Sequence, residues 1–207
     1  MSAAAVEEPF EQRPLLRAVE QPTLLEAAEL ISNQFVGHRV EIVGSQITVT
    51  PPPNASHGKS LSRLMRVLFA AGLDGDEVDV LQNVGIWLPS GPSDYAVPDL
   101  SIVDADIDDH VIEYNCYDPE VFRLVLEVTS SNLSDDLKKK PAAYASAGVP
   151  VYVIVDRTNQ RVMMLTEPQD DEYQVHVVHH PGQSFTLPES IGASVTLSVD
   201  DVLAAKK

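Results

Sequence analysis

Apolar positions along this chain follow two spacings, about 3.6 residues in some segments and two in others, so helices and strands are interleaved. Leu24, Leu25, Ala28 and Ile31 form one helical face, and Thr23 with Glu26 supplies a capping box that satisfies free N–H groups at the helix start. A second helix is predicted from about Ser56 to Ala71, where Leu61, Leu64, Met65 and Leu68 recur at i, i+3, i+4 and i+7 and Gly72 follows as a stop. Between the two, Val40 to Val43 and Gln46 to Thr50 flank Gly44-Ser45 and read as a tight hairpin closed by three prolines, Pro51 to Pro53.

Further strands are predicted at Val78 to Leu81, Val84 to Leu88 and Val97 to Val103, the last two separated by a turn-rich stretch, with an acidic loop from Asp104 to about Pro119. Val121 to Thr129 is apolar except for Arg123 and Glu127, the pattern of a central strand buried on both faces. A third helix is expected between Ser134 as cap and Gly148 as stop, with Asp135 and Asp136 in its first turn and Pro141 bending or restarting it. Val151 to Val155, Arg161 to Leu165, Tyr173 to Val178 and Val195 to Leu197 complete a β-rich C-terminal part. The fold class is therefore α/β (α+β), a mixed sheet flanked by helices.

Composition narrows the picture without changing it. At 207 residues, 44% apolar and 22% charged, the chain suits one globular domain. We place that domain at residues 22–207, behind an acidic arm at 1–21 that is punctuated by Pro9 and Pro14 and expected to be loosely held. One cysteine, Cys116, excludes an internal disulfide and a Cys-based zinc motif. With no signal-like or membrane-length apolar run, a soluble cytoplasmic protein without membrane contact is expected. The formal charge of −17 repels polyanions, so any nucleic-acid contact has to be local or mediated by ions.

Two carboxylates stand out. Glu127 lies in Leu124-Val-Leu-Glu-Val128, where an ionised side chain is costly unless a cation or hydrogen-bond donors meet it. Asp99 follows Val97-Pro98 at the start of another apolar strand, and adjacent strands could bring the two together. Such a pair suits Mg²⁺ or Mn²⁺, hard ions that prefer oxygen and can activate water beside a phosphate. Lys138, Lys139 and Lys140, just after the Glu127 strand, offer a cation to orient that water or offset charge.

These residues resemble the Uma-two family of restriction endonuclease-like proteins in the PD-(D/E)XK nuclease superfamily. The likeness rests on Val97-Pro98-Asp99, on Glu127-Val128-Thr129-Ser130, on Asp136 through Lys140 to Tyr144, and on Gly148-Val-Pro-Val-Tyr-Val-Ile-Val-Asp156. It implies a restriction-endonuclease-like core with extra C-terminal strands, Asp99 and Glu127 as metal ligands, and Lys140 as a catalytic lysine moved from the strand to the following helix. Thr129 stands where the strand lysine is usual. Glu41 looks like the acidic residue before the first hairpin turn, a possible further ligand or base, and His57 like the histidine before the second helix. The resemblance also implies DNA as substrate and a homodimer. Pro141 and the valines at 151 and 153 depart from the pattern.

Plainer readings stand beside these. A structural pair between Arg123 and Glu127 is one, but four residues along a strand span about 13 Å, at about 3.3 Å per residue. Lys59, Arg63 and Arg66 form a basic stripe on the second helix that could touch phosphates or simply face solvent. His57-Gly58-Lys59-Ser60 imitates the end of a phosphate-binding loop but has Pro53 where the first glycine belongs. His176, His179 and His180 read as surface histidines, and no serine-hydrolase elbow occurs. Two functions follow: a metal-dependent DNA endonuclease, or a nuclease-fold protein that no longer cuts and serves as a binding or regulatory partner.

Overall fold

The computed structural model describes residues 21–129 and 133–203, with the side chains of residues 133–138 excepted. The expected N-terminal arm, the cap at Ser134, the acidic first turn after it and the Lys138 side chain lie outside what is described. In chain order the first elements are α1 (Leu24–Gln34), β1 (Arg39–Val43), β2 (Gln46–Thr50), α2 (Ala55–Ala70), β3 (Val78–Leu81), β4 (Gly85–Trp87), β5 (Tyr95–Ala96) and β6 (Leu100–Asp104). There follow β7 (Val111–Glu113), β8 (Cys116–Tyr117), β9 (Phe122–Val128), α3 (Leu133–Ser146), β10 (Val151–Asp156), β11 (Arg161–Gln169) and β12 (Glu172–His179). The chain closes with β13 (Ser184–Leu187), β14 (Val195–Ser198) and the short α4 (Val199–Val202).

The central sheet runs β12-β11-β10-β9-β6-β3 and is mixed: β9 and β10 are parallel, whereas β3–β6, β6–β9 and β10–β11 are antiparallel. A parallel pair needs a crossover, and α3 provides it between β9 and β10. The period-2 alternation of β9 sends its two faces to different cores. Leu124, Leu126 and Val128 pack with Leu61, Leu64 and Leu68 of α2 and with the β13–β14 hairpin. Val125 packs with Ala143 and Tyr144 of α3 and with Tyr152 and Ile154 of β10, a cluster that Phe122 also joins from beyond the register shift at Ile102 and Val103. Glu127, two residues beyond Val125, shares the α3 face.

A second sheet, β2-β1-β5-β4-β8-β7, carries the predicted hairpin, in which Val43 pairs with Gln46 across Gly44 and Ser45, both at positive φ. Buried Asp94 fixes this hairpin: its carboxylate accepts from the N–H groups of Gly44 and Ser45 and from the Ser90 hydroxyl. Helix α1 starts where expected, with the reciprocal Thr23–Glu26 capping box formed. Helix α3 runs through Pro141. Among the described residues no helix is long and apolar enough to cross a membrane.

Three expectations need correction. The segment from Asp104 to Pro119 is not a plain loop, because it contains a 3-10 turn and the short strands β7 and β8. Asp99 lies just before its strand, which begins at Leu100, and not within it. Strand β13 was not anticipated. Cys116 in β8 is 2% exposed, and burial pushes its thiol up to about 12. A thiol reagent such as Ellman's at pH 8 is therefore expected to leave the native protein unlabelled and to modify one thiol per chain after denaturation. Rapid native labelling would contradict this burial.

Candidate active site

Four segments far apart in sequence meet at one end of β6 and β9. The ladder between these strands pairs Leu100 with Leu126, so Asp99 and Glu127 stand opposite one another one residue further on. Both are buried, as are Glu41 of β1 and Lys140 of α3. Alternation along β1 puts Arg39 and Glu41 on the side of the strand opposite to Val40 and Ile42, which pack on Ala28 of α1. On α3, Tyr144 follows Lys140 by four residues, so the two share a helix face.

The polar contacts form one network. Lys140 Nζ donates to Glu127 Oε1 at 2.6 Å and to Glu41 Oε1 at 2.9 Å. Tyr144 donates its hydroxyl to Glu127 Oε1 at 3.1 Å. Glu41 Oε1 also accepts from the Val97 N–H at 2.8 Å, which ties the hairpin to the segment before β6. Asp99 Oδ2 accepts from the Val128 N–H at 2.7 Å and lies 3.4 Å from His57 Nε2. Asp99 Oδ1 accepts from Arg39 Nη1 at 2.7 Å, and the same nitrogen donates to the Val97 carbonyl at 2.7 Å.

Electrostatics follow from this crowding. Burial alone would raise the Asp99 carboxyl, but the His57 contact, the Arg39 charge and the Val128 N–H outweigh it and hold it below the usual carboxylate range. Burial weakens the Arg39 cation, and the facing charges of Glu127, Glu41 and Asp99 more than restore it, raising its affinity for its proton. Tyr144 is pushed well above an ordinary tyrosine by burial first and by Glu127 second, so it serves as a neutral donor.

A cleft of about 930 Å³ opens on the cluster, with Arg39, Asp99, His57, Asn54, Gln82 and Arg157 among its walls. His57 Nδ1 is buried there without a hydrogen-bond partner among the described residues. A ligand or water entering the cleft would supply one.

The sequence-selected residues thus divide. Asp99, Glu127, Glu41, Lys140 and His57 are brought together, and the departure at Pro141 leaves Lys140 on the carboxylates. Lys139 instead reaches Gln46 of the hairpin. Arg63 and Arg66 line a separate cavity beside Ser184, Asp200 and Asp201, where Arg63 donates to the Asp201 carbonyl, and Lys59 is exposed. Arg123 is occupied by Asp104 and not by Glu127. Sequence reasoning missed Arg39 and gave Tyr144 no role. A charged pair at i, i+2 at the start of a strand was the available signal for Arg39.

The oxygen-rich donor set fits a hard divalent cation. Among the described residues no group of three His, Cys, Asp or Glu side chains is gathered as a ready cage.

Comparison with known proteins bears on the same region. The family model described as "Uma2: Putative restriction endonuclease" matches residues 26–200. Among solved structures, the chain is similar to one described as a putative nuclease belonging to DUF820, from Anabaena variabilis ATCC 29413. The TM-score is 0.64 at 17% sequence identity, covering 89% of this chain and 98% of that one. At that identity the likeness concerns the fold. No curated protein sequence matches.

Proposed function

Since this chain belongs to the Uma2 restriction endonuclease family, we propose that it hydrolyses phosphodiester bonds of DNA, with Asp99 and Glu127 holding Mg²⁺ or Mn²⁺. The observation that carries this reading is the convergence of Asp99, Glu127, Glu41 and Lys140 into one buried cluster beside an open cleft. The bound ion would supply an activated water and charge stabilisation at the phosphate.

The chain's own residues do the positioning. The Val128 N–H fixes one Asp99 oxygen, leaving the other turned to Arg39, and Lys140 with Tyr144 fixes one Glu127 oxygen. Lys140, anchored by Glu127 and Glu41, brings a positive charge to the carboxylates that can offset charge developing on the phosphate. Glu41, held by Lys140 and the Val97 N–H, is placed to accept a proton from that water or to join the ligands through one. His57 lines the cleft, and its Nδ1 has no partner among the described residues. The low charge density that DNA would tolerate is confined to the cleft, where Arg39 and Arg157 are found. Lys59, Arg63 and Arg66 belong to a second, more remote phosphate contact in this reading, and a cytoplasmic homodimer completes it.

The test is cleavage of single- and double-stranded DNA with Mg²⁺ or Mn²⁺, comparing wild type with identically purified Asp99→Ala and Glu127→Ala. Cleavage present in wild type and lost in both variants is the expected result. Equal cleavage by all three would mean that other residues, or a contaminant, do the cutting. A folded, metal-binding wild type that cuts neither substrate would favour a binding protein on a nuclease fold.

A further inference from the structure

The outward oxygens of the two proposed ligands face a cation that the chain itself provides. Arg39 Nη1 lies 2.7 Å from Asp99 Oδ1 and 3.9 Å from Glu127 Oε2, and Arg39 Nε lies 3.8 Å from Glu41 Oε2. Their other oxygens are held elsewhere, by the Val128 N–H on Asp99 and by Lys140 and Tyr144 on Glu127. Arg39 is also the member of this group nearest to solvent. Its side chain is 20% exposed, against 5% for Asp99 and 2% for Glu127, and it forms part of the cleft wall.

We infer that Arg39 is a built-in counter-cation occupying the ion position between Asp99 and Glu127, that a divalent ion must displace it, and that the displaced guanidinium then turns into the cleft as a phosphate ligand. The inference rests on the metal-dependent reading above and deepens it.

Three physical points support it. An ion that coordinates oxygen at about 2.1 Å cannot sit between the same two carboxylate oxygens as a guanidinium nitrogen that is hydrogen-bonded to Asp99 Oδ1 at 2.7 Å and stands 3.9 Å from Glu127 Oε2. The exchange also improves the charge balance. With Arg39 in place, three carboxylates among the described residues face the permanent cations Arg39 and Lys140. With a divalent ion in its position beside Lys140, the same carboxylates are neutralised, and the arginine is released with its charge. Finally, the destination is suitable, because Arg39 already borders the cleft and its planar fork of donors matches phosphate oxygens in a bidentate manner. Metal loading and substrate capture would then be coupled through one side chain, and unloaded protein would lack part of its phosphate site.

The experiment titrates wild type, Arg39→Ala and Arg39→Lys with Mn²⁺ by calorimetry and follows the Arg39 Nε–H of wild type by NMR during a Mg²⁺ titration. Arg39→Ala is expected to bind Mn²⁺ about tenfold or more tightly than wild type, because a charge-assisted hydrogen bond no longer has to be broken. Arg39→Lys should fall between the two. The Arg39 Nε–H resonance should shift in step with Mg²⁺ occupancy as the guanidinium leaves the carboxylates. Binding that depends on Asp99 but is no tighter in Arg39→Ala, with the Arg39 resonance unmoved at saturation, would overturn the displacement while leaving the metal site intact. Absence of Mn²⁺ binding in wild type and in both variants would overturn displacement and metal site together. The NMR arm needs no substitution, so it decides the matter even if Arg39→Ala does not fold.

Discussion

Lys140→Ala is expected to lose both activity and stability, cleavage falling by about 10² to 10³ and unfolding free energy by about 3–5 kcal/mol. The second effect has a clear origin. Lys140 is 4% exposed and donates to two carboxylates that are themselves 1–2% exposed. Removing it leaves Glu41 and Glu127 buried with their principal compensating charge gone, and an unpaired buried charge costs more than the pair contributes. The double variant Lys140→Met with Glu41→Gln separates this from a packing defect. It removes a cation and an anion together, restores a similar buried volume, and is expected to recover roughly half of the lost stability without recovering cleavage. Chemical denaturation of the three proteins checks the prediction. A Lys140→Ala protein within about 1 kcal/mol of wild type, less than the typical cost of one point substitution, would mean that the lysine is not the counter-charge described here.

The readable part of this site was the part that violates sequence patterning. Glu127 interrupts an apolar strand, and a charge in that position demands partners, so its importance could be inferred without knowing them. Asp99 was marked by the proline before it, and the opposition of β6 and β9 then made the pair. Lys140 and Glu41 came through resemblance to a family. Both meet Glu127 in one network through contacts that no local spacing could specify: Lys140 is 99 residues from Glu41. Arg39 looked like an ordinary strand-end charge, because its significance depends on β1 lying beside the segment that carries Val97 and Asp99. His57 illustrates the same limit, since its setting only imitates a phosphate loop that lacks the first glycine, and the carboxylate its ring addresses is visible in the fold alone.

At the level of the fold, long periodic segments were legible and short ones were not. Helix α1 begins where its capping box predicts, and α2 and the β1–β2 hairpin match their expected bounds closely, each of these two having a full period plus a stop signal. Strands β7 and β8 have three and two residues, too few for alternation to show, and they exist by pairing with one another and with β4. Strand β13 alternates correctly, with Phe185 and Leu187 buried, but only its ladder with β14 distinguishes it from a loop. The acidic excess of the chain likewise explains little about chemistry. Arg39 and Arg157 line the cleft of a chain whose net charge is −17, and these two cations are what the proposed function relies on to meet an anionic substrate there.

Asp99→Asn carries the second large effect, and its signature is a dependence on pH. The substitution keeps the shape but removes the charge that Arg39 and the Val128 N–H address, so cleavage is expected to fall by about 10³ or more, several kcal/mol of charge stabilisation being several decades in rate. Stability at pH 7 should fall by about 1.5–3 kcal/mol, the usual worth of hydrogen bonds to a charged group. Because the folded-state carboxyl of Asp99 is held below its unfolded value, the unfolded chain takes up the proton first as pH drops. The contribution of Asp99 is therefore fully present above about pH 4, near the unfolded carboxyl value, and is lost as pH falls from there through the lower folded value. Wild type should lose its advantage over Asp99→Asn across that acid window. Urea unfolding of both proteins at a series of pH values gives the answer. A gap that persists unchanged to pH 3 would show that the variant is weakened by packing, and that the Asp99 charge does not hold β6, β9 and Arg39 together.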